Sequence, residues 1–300
     1  MSESEQPAAP SPIVRADPAE VAPGVFVIPD GRVPLVPNVG IVVGTQAVLV
    51  IDTGMGLRSA EHVLAHARRL AAGKPLYLTI THFHPEHGFG AQVFAGQATI
   101  IYNASQRDEL RRKGAGYIGM FKEIFGANVA AELEGVALVD PHIVYEGAAE
   151  IDLGGHVAIL RTLGRAHTGG DQVVLVDDSV LFGGDLFETR MFPIVPYFPP
   201  DDADVDGDRW IEVLDELAAL HPAVVVPGHG EVTDATLIRD VREYLAHVRG
   251  EAARLRAAGS SSDEAAAEIE RTLPDRWGAW DNPEWIGFAA RHFYDAAVPA

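Results

Sequence analysis

Between Thr81 and Gly88 the chain reads THFHPEHG, which places three histidines and a glutamate within six residues. His82 and His84 are two apart, so in extended backbone both face one side while Phe83 faces the other, a core position. Pro85 keeps the preceding His84 out of helical backbone and preserves that geometry. Glu86 and His87 follow on the turn, aimed elsewhere. Imidazole nitrogen and carboxylate oxygen are ligands for zinc and related divalent ions. The stretch can therefore feed two adjacent ions, one through His82 and His84, the other through Glu86 and His87. A wet polar loop is the plain alternative, and a His-rich run straight after an apolar one argues against it.

The same residue types recur where other apolar runs end. The run from Ala47 to Ile51 meets Asp52, and the one from Leu76 to Thr81 meets His82. Val157 to Thr162 leads to His167, Val180 to Gly184 leads to Asp185, and Ala223 to Pro227 leads to His229. Open α/β sheets gather ligands just beyond strand carboxyl ends, and the glycines beside most of these positions permit close approach. Convergence of these side chains on one cleft is the expectation.

The short β-branched runs predict strands, many buried on both faces. Helical spacing links Leu57, Ala60, Val63, Leu64, Ala67 and Leu70, and again Trp210, Ile211, Leu214 and Leu217. A third stripe runs from Leu237 to Leu255, and Ser261 with Glu264 forms a capping box for a further helix. Residues 1–20, polar and Pro-rich, read as a disordered tail rather than a signal peptide, which points to the cytoplasm. Residues 21–258 read as one catalytic α/β domain with a partly helical insertion at about 105–135, too long for a simple connection. Residues 259–300 read as a helical extension, aromatic enough to pack on the domain or on a second copy of the chain.

Composition narrows the chemistry. Against 43 Asp and Glu stand 23 Lys and Arg, and a formal charge of -20 argues against nucleic acid, whose phosphates reward a basic surface. With no Cys among 300 residues, disulfides, thiolate nucleophiles and thiolate metal sites are excluded. No apolar run reaches the roughly 18 residues of a membrane span. His62 and His66 lie four apart on a helix, but with neither an HExxH pattern nor a third partner, a solvated face is the better reading. The acidic run 201–208 lacks EF-hand spacing and reads as a solvated turn.

Taken together, these segments resemble the metallo-β-lactamase superfamily. THFHPEHG is similar to its His-x-His-x-Asp-His signature. The other motifs follow in the family's order: Ile51-Asp52-Thr53-Gly54, Ala166-His167-Thr168-Gly169-Gly170, Gly183-Gly184-Asp185-Leu186-Phe187 and Pro227-Gly228-His229-Gly230. The resemblance implies a four-layer αβ/βα sandwich with a metal site at one edge. It implies that His82, His84 and His167 hold one metal, that Glu86, His87 and His229 hold a second, and that Asp185 bridges them. Asp52 would orient a ligand histidine. Two zinc ions per chain are expected, with iron or manganese as alternatives.

One departure stands inside the signature, where Glu86 replaces the family's Asp. The extra methylene moves the carboxylate by roughly 1.5 Å, beyond the tolerance of a metal–ligand distance. The backbone adjusts, or the second metal is weaker, or Glu86 serves as a general base. Retained ligation is favoured because His87, His229 and Asp185 are all present. Asp at position 185 resembles glyoxalase II-like thioesterases and lactonases, not the class B lactamases with Cys or Ser near there.

The resulting expectation is a hydrolase of small acyl substrates such as thioesters, lactones or other esters and amides. Water bound to such a metal has its pKa lowered to about 7, and Glu86 or Asp185 would receive its proton. Phe187, Met191, Phe192, Tyr197 and Phe198, with Tyr117 and Met120 of the insertion, are candidate substrate contacts, against core packing for each. An iron-dependent persulfide dioxygenase and a binding protein without turnover are the competing readings.

Overall fold

Alternation along the strands sorts side chains into layers. The computed structural model describes residues 10–199 and 202–297. One sheet runs β1 (Ala19–Ala22), β2 (Val25–Ile28), β3 (Val39–Val43), β4 (Val48–Ile51), β5 (Leu76–Thr79), β6 (Thr99–Asn103) and β7 (Ile143–Tyr145), in that spatial order. Its first four strands are antiparallel neighbours, and β4 to β7 are parallel. The second sheet holds β8 (Ala148–Asp152), β9 (Val157–Gly164), β10 (Asp171–Val176), β11 (Val180–Gly184) and β12 (Val224–Pro227), with only β11 and β12 parallel.

Val48 and Val50 point outward to a helical layer, whereas Leu49 and Ile51 point inward against Val174, Val176 and Phe182 of the facing sheet. Val173 and Leu175 of β10 point to the opposite helical layer. Each apolar run is thus buried on both faces, which is why no polar alternation marks it. The first helical layer contains α1 (Leu57–Ala71), the short α2 (Pro85–Gly88), α3 (Ala104–Ile124) and α4 (Gly126–Glu132). The second contains α5 (Gly207–Ala218), α6 (Thr236–Ala257), α7 (Ser262–Thr272) and α8 (Glu284–Ala296). Two helical layers enclosing two sheets make the four-layer α/β sandwich. No helix among the described residues is long and apolar enough to cross a membrane.

The structure corrects part of the expected N-terminal tail. Residues 1–9 lie outside the described residues, but from Pro10 the chain packs. Val14 is buried against α1, its amide donates to Ser59 Oγ at 3.1 Å, and β1 begins within the supposed tail. Two apolar side chains, Ile13 and Val14, anchor an otherwise polar stretch. The insertion proves to be one 21-residue helix, α3, followed by α4. Asn103 and Gln106 cap α3 reciprocally. At the other end, Trp277, Ile286 and Phe293 join the same buried cluster as Trp210 and Tyr244, so the C-terminal helices pack on their own domain.

Candidate metal centre

Five strand ends deliver the chemistry. After β4 the backbone of Asp52 turns into the left-handed region (φ 67°), a conformation Asp tolerates better than most residues. The turn aims its carboxylate across to the next strand end, where it accepts from Thr81 N–H (2.7 Å), Thr81 Oγ1 (2.9 Å) and His87 Nδ1 (2.8 Å). The stretch after β5 is bent rather than extended, but His84 keeps ψ at 151° before Pro85, and Phe83 is fully buried with its ring against that of His84, centroids 4.9 Å apart. Glu86 and His87 lie on α2.

At the end of β11, Gly184 takes a positive φ of 53° and sets Asp185 beneath the histidines. Gly228, just past β12, must lack a side chain, because a Cβ there would stand 1.9 Å from Asp185 Oδ1. His167 arrives on the loop between β9 and β10, which Asp171 ties down by accepting from Thr168 N–H at 3.0 Å.

Two clusters result, His82, His84, His167 and Asp185, and Glu86, His87, Asp185 and His229. Within each, one ligand atom per residue lies within 4.8 Å of the others, and every member is buried. Asp185 belongs to both. Its Oδ2 is 3.8 Å from His82 Nε2 and 3.9 Å from His167 Nε2, whereas Oδ1 is 3.1 Å from His87 Nε2 and 3.6 Å from His229 Nε2. His84 Nδ1 faces His167 Nε2 at 3.1 Å.

The donor set fits divalent metal ions. The Nε2 atoms of His82, His87 and His229, both oxygens of Asp185 and Oε2 of Glu86 are buried without a hydrogen-bond partner. Burying so many polar atoms unpaired is costly, and a cation among them supplies what they lack. The far ring nitrogens are anchored: His167 Nδ1 donates to Ile194 O (2.9 Å), and His229 Nδ1 donates to Val36 O (2.8 Å). Those bonds fix the tautomer that leaves each Nε2 lone pair facing the cluster.

Electrostatics agree. Burial, helped by neighbouring imidazoles, holds His82 and His84 well below the usual histidine range, and burial lowers His167 to about 4. All three are therefore neutral ligands at pH 7. Burial alone would lower His87 too, but Asp185 and Asp52 outweigh it and raise it well above the usual range. Asp185 shows the mirror effect, its burial outweighed by His87 and His229, so it stays ionised. A cation at the second cluster would displace the proton on His87. Burial raises Glu86.

Because Asp52 orients His87, Asp52→Ala is expected to weaken metal binding at the second cluster by about 10–100-fold, read by competition with a chromophoric chelator.

The predicted substrate contacts divide. Met191 and Phe192 line a cleft of about 560 Å³ that opens beside His229. Tyr117 stacks on His84 with ring centroids 5.3 Å apart, and its hydroxyl donates to Asp202 at 2.5 Å, so it covers the first cluster. Phe187, fully buried in the core, packs against Gly183 and is no substrate contact. Met120 packs on the cluster around α1 and α3, and Tyr197 turns to α8, donating to Asp295 at 2.9 Å. Phe198 meets Phe288 edge to face. None of the four lines the cleft. Sequence reading overlooked Glu188, whose fully buried carboxyl lines that cleft, and the Asp281–Trp285 segment that forms one wall. A glutamate inside the apolar stretch 186–195 was the available signal for the first. The second, nearly a hundred residues away in sequence, had none.

The Metallo-beta-lactamase superfamily profile matches residues 32–229. Over 255 residues the chain is 22% identical to a linear primary-alkylsulfatase from a Pseudomonas species, covering 75% of this chain and 48% of that protein. Over 206 residues it is 25% identical to the human acyl-coenzyme A thioesterase MBLAC2, covering 64% of this chain and 72% of the relative. Among solved structures, the sec-alkylsulfatase Pisa1 from a Pseudomonas species superposes with a TM-score of 0.70 at 17% identity, covering 94% of this chain and 50% of that one. The chain thus spans about half the length of the alkylsulfatases it matches. A metallo-β-lactamase from Pontibacter korlensis superposes with a TM-score of 0.58 at 18% identity, covering 76% of this chain and 99% of that one. With its profile matched over most of the chain and its motif residues gathered at one sheet edge, the chain belongs to the metallo-β-lactamase superfamily.

Proposed function

We infer that the protein is a metal-dependent hydrolase of acyl substrates, with two zinc ions per chain. The observation that carries the reading is the pair of buried ligand clusters sharing Asp185, next to an open cleft that His229 lines. His82, His84 and His167 would hold one ion, Glu86, His87 and His229 the other, and Asp185 both. Bound there, such ions would supply Lewis-acid chemistry, lowering the pKa of water and polarising a carbonyl.

The chain's own residues supply the rest. Carbonyls of Ile194 and Val36 hold the His167 and His229 rings in place, and Asp52 does so for His87. Rigid placement of this kind spares reorganisation during the reaction. A Glu86 oxygen left free of the ion would be the proton acceptor for a water in the second cluster. Tyr117 shields His84 from solvent on the α3 side. The relatives named as a thioesterase and an alkylsulfatase support hydrolysis as the reaction class.

A panel of thioesters, lactones, β-lactams, alkyl sulfates and phosphodiesters tests this. Acyl turnover that a chelator abolishes and zinc restores is the expected result. Turnover confined to alkyl sulfates would move the activity to sulfate esters. One iron per chain with oxygen uptake on a persulfide would replace hydrolysis by dioxygenation.

A further inference from the structure

The cleft beside His229 has an unusual charge balance. Its charged lining includes three carboxylates, Asp30, Asp281 and Glu284, against a single Lys or Arg, which is Arg32. That guanidinium is already engaged. It pairs with Glu231, donates to Asp281 Oδ2 at 2.9 Å and to Thr189 O at 3.0 Å, so four of its five N–H groups are used and two carboxylates already offset its charge. Arg190, nearby, makes a single 3.2 Å contact with Glu231 and is otherwise turned to solvent. Deeper in, Glu188 is fully buried, and its Oε2 has no partner. Its Oε1 receives only a long contact of 3.5 Å from Ile194 N–H. A buried carboxyl oxygen facing a cleft without a partner is an unmet demand for a hydrogen bond.

Resting on the hydrolase reading above, we propose that the cleft selects an uncharged acyl substrate bearing an N–H or O–H donor for Glu188, and rejects polyphosphorylated carriers of the coenzyme A kind. Like charges facing each other across a binding surface penalise the wrong partner, and the penalty falls with salt. A site built to bond one donor penalises the analogue that lacks it. The apolar part of the lining, including Leu35, Phe125, Met191 and Trp285, accommodates the acyl chain.

Three thioesters of one short acyl group test both halves. The N-acetylcysteamine ester is uncharged and carries an N–H, the ethanethiol ester is uncharged without one, and the coenzyme A ester is polyanionic. At about 20 mM salt, kcat/KM for the N-acetylcysteamine ester is expected to exceed that for the coenzyme A ester at least tenfold, with the gap narrowing in about 0.5 M salt. It is also expected to exceed the ethanethiol ester by roughly tenfold. Glu188→Met should collapse that second ratio towards one, whereas Glu188→Gln, which keeps an acceptor oxygen, should retain most of it.

A coenzyme A ester preferred at low salt, a ratio unmoved by Glu188→Met, or loss of bound metal in Glu188→Gln would each overturn the proposal. The hydrolase reading fails instead only if neither these thioesters nor any other acyl substrate of the panel turns over. Calorimetric binding of the three matched ketone analogues, with CH2 in place of sulfur, then decides the selectivity by the same ratios.

Discussion

Asp185→Asn is expected to empty both metal clusters and to lower acyl turnover by about 10³-fold or more, because several kcal/mol of transition-state stabilisation go with the ions. Asp185 is the one residue common to both ligand groups. Asn matches its shape, but offers one neutral oxygen where two charged ones faced four imidazole nitrogens. In the metal-free protein the same carboxylate keeps His87 protonated, so the variant should also return that histidine's titration towards, or below, the ordinary range. Elemental analysis and proton NMR of the imidazole signals read the two effects separately. Retention of two ions per chain in Asp185→Asn would show that the clusters do not share it.

Trp210→Ala is expected to be the most damaging single core change near the site. The indole is fully buried on α5, its Nε1–H donates to Leu186 O at 2.9 Å, and its ring lies 5.4 Å from that of His167. It therefore props up both the residue after Asp185 and a ligand of the first cluster. Loss of a buried aromatic of this size costs about 3–5 kcal/mol through transfer and cavity terms, equivalent in a chain of this length to a fall in Tm of roughly 5–8 °C. Trp210→Phe retains most of the packing and loses the hydrogen bond, so its cost should be smaller. Metal affinity at the first cluster should weaken along with stability. A Trp210→Ala variant that melts within a degree or two of the parent would contradict this packing role.

Legibility of the fold followed burial. The central strands were readable because both faces are dry, so β4 and residues 173–176 of β10 appear as unbroken apolar runs. The strands that sequence reading missed, β1, β7 and β8, lie at sheet edges. There the side chains are largely exposed or alternate in burial, and the apolar signal disappears. α3 looked interrupted because it contains Gly114, Gly116 and Gly119, yet a single capping box and its packed face carry the helix through. Gly114 is there for space, since a Cβ would meet Leu138 Cδ1 at 2.5 Å.

The ligand histidines were legible because metal chemistry imposes residue type and short spacing. The cleft was not, because its wall joins Arg32, Met191 and Trp285 through long-range packing that leaves no local pattern. The same limit explains Phe187 and Tyr197. Aromatic residues beside a motif look like substrate contacts until the core they fill is seen.

Counting metal in the purified, zinc-reconstituted protein by native mass spectrometry tests the central claim most directly. Two ions per chain are expected, falling to one in Glu86→Ala, because the four donors of the first cluster remain intact. A chain that binds no divalent ion, or one that holds a single ion whether or not Glu86 is present, would contradict the paired centre.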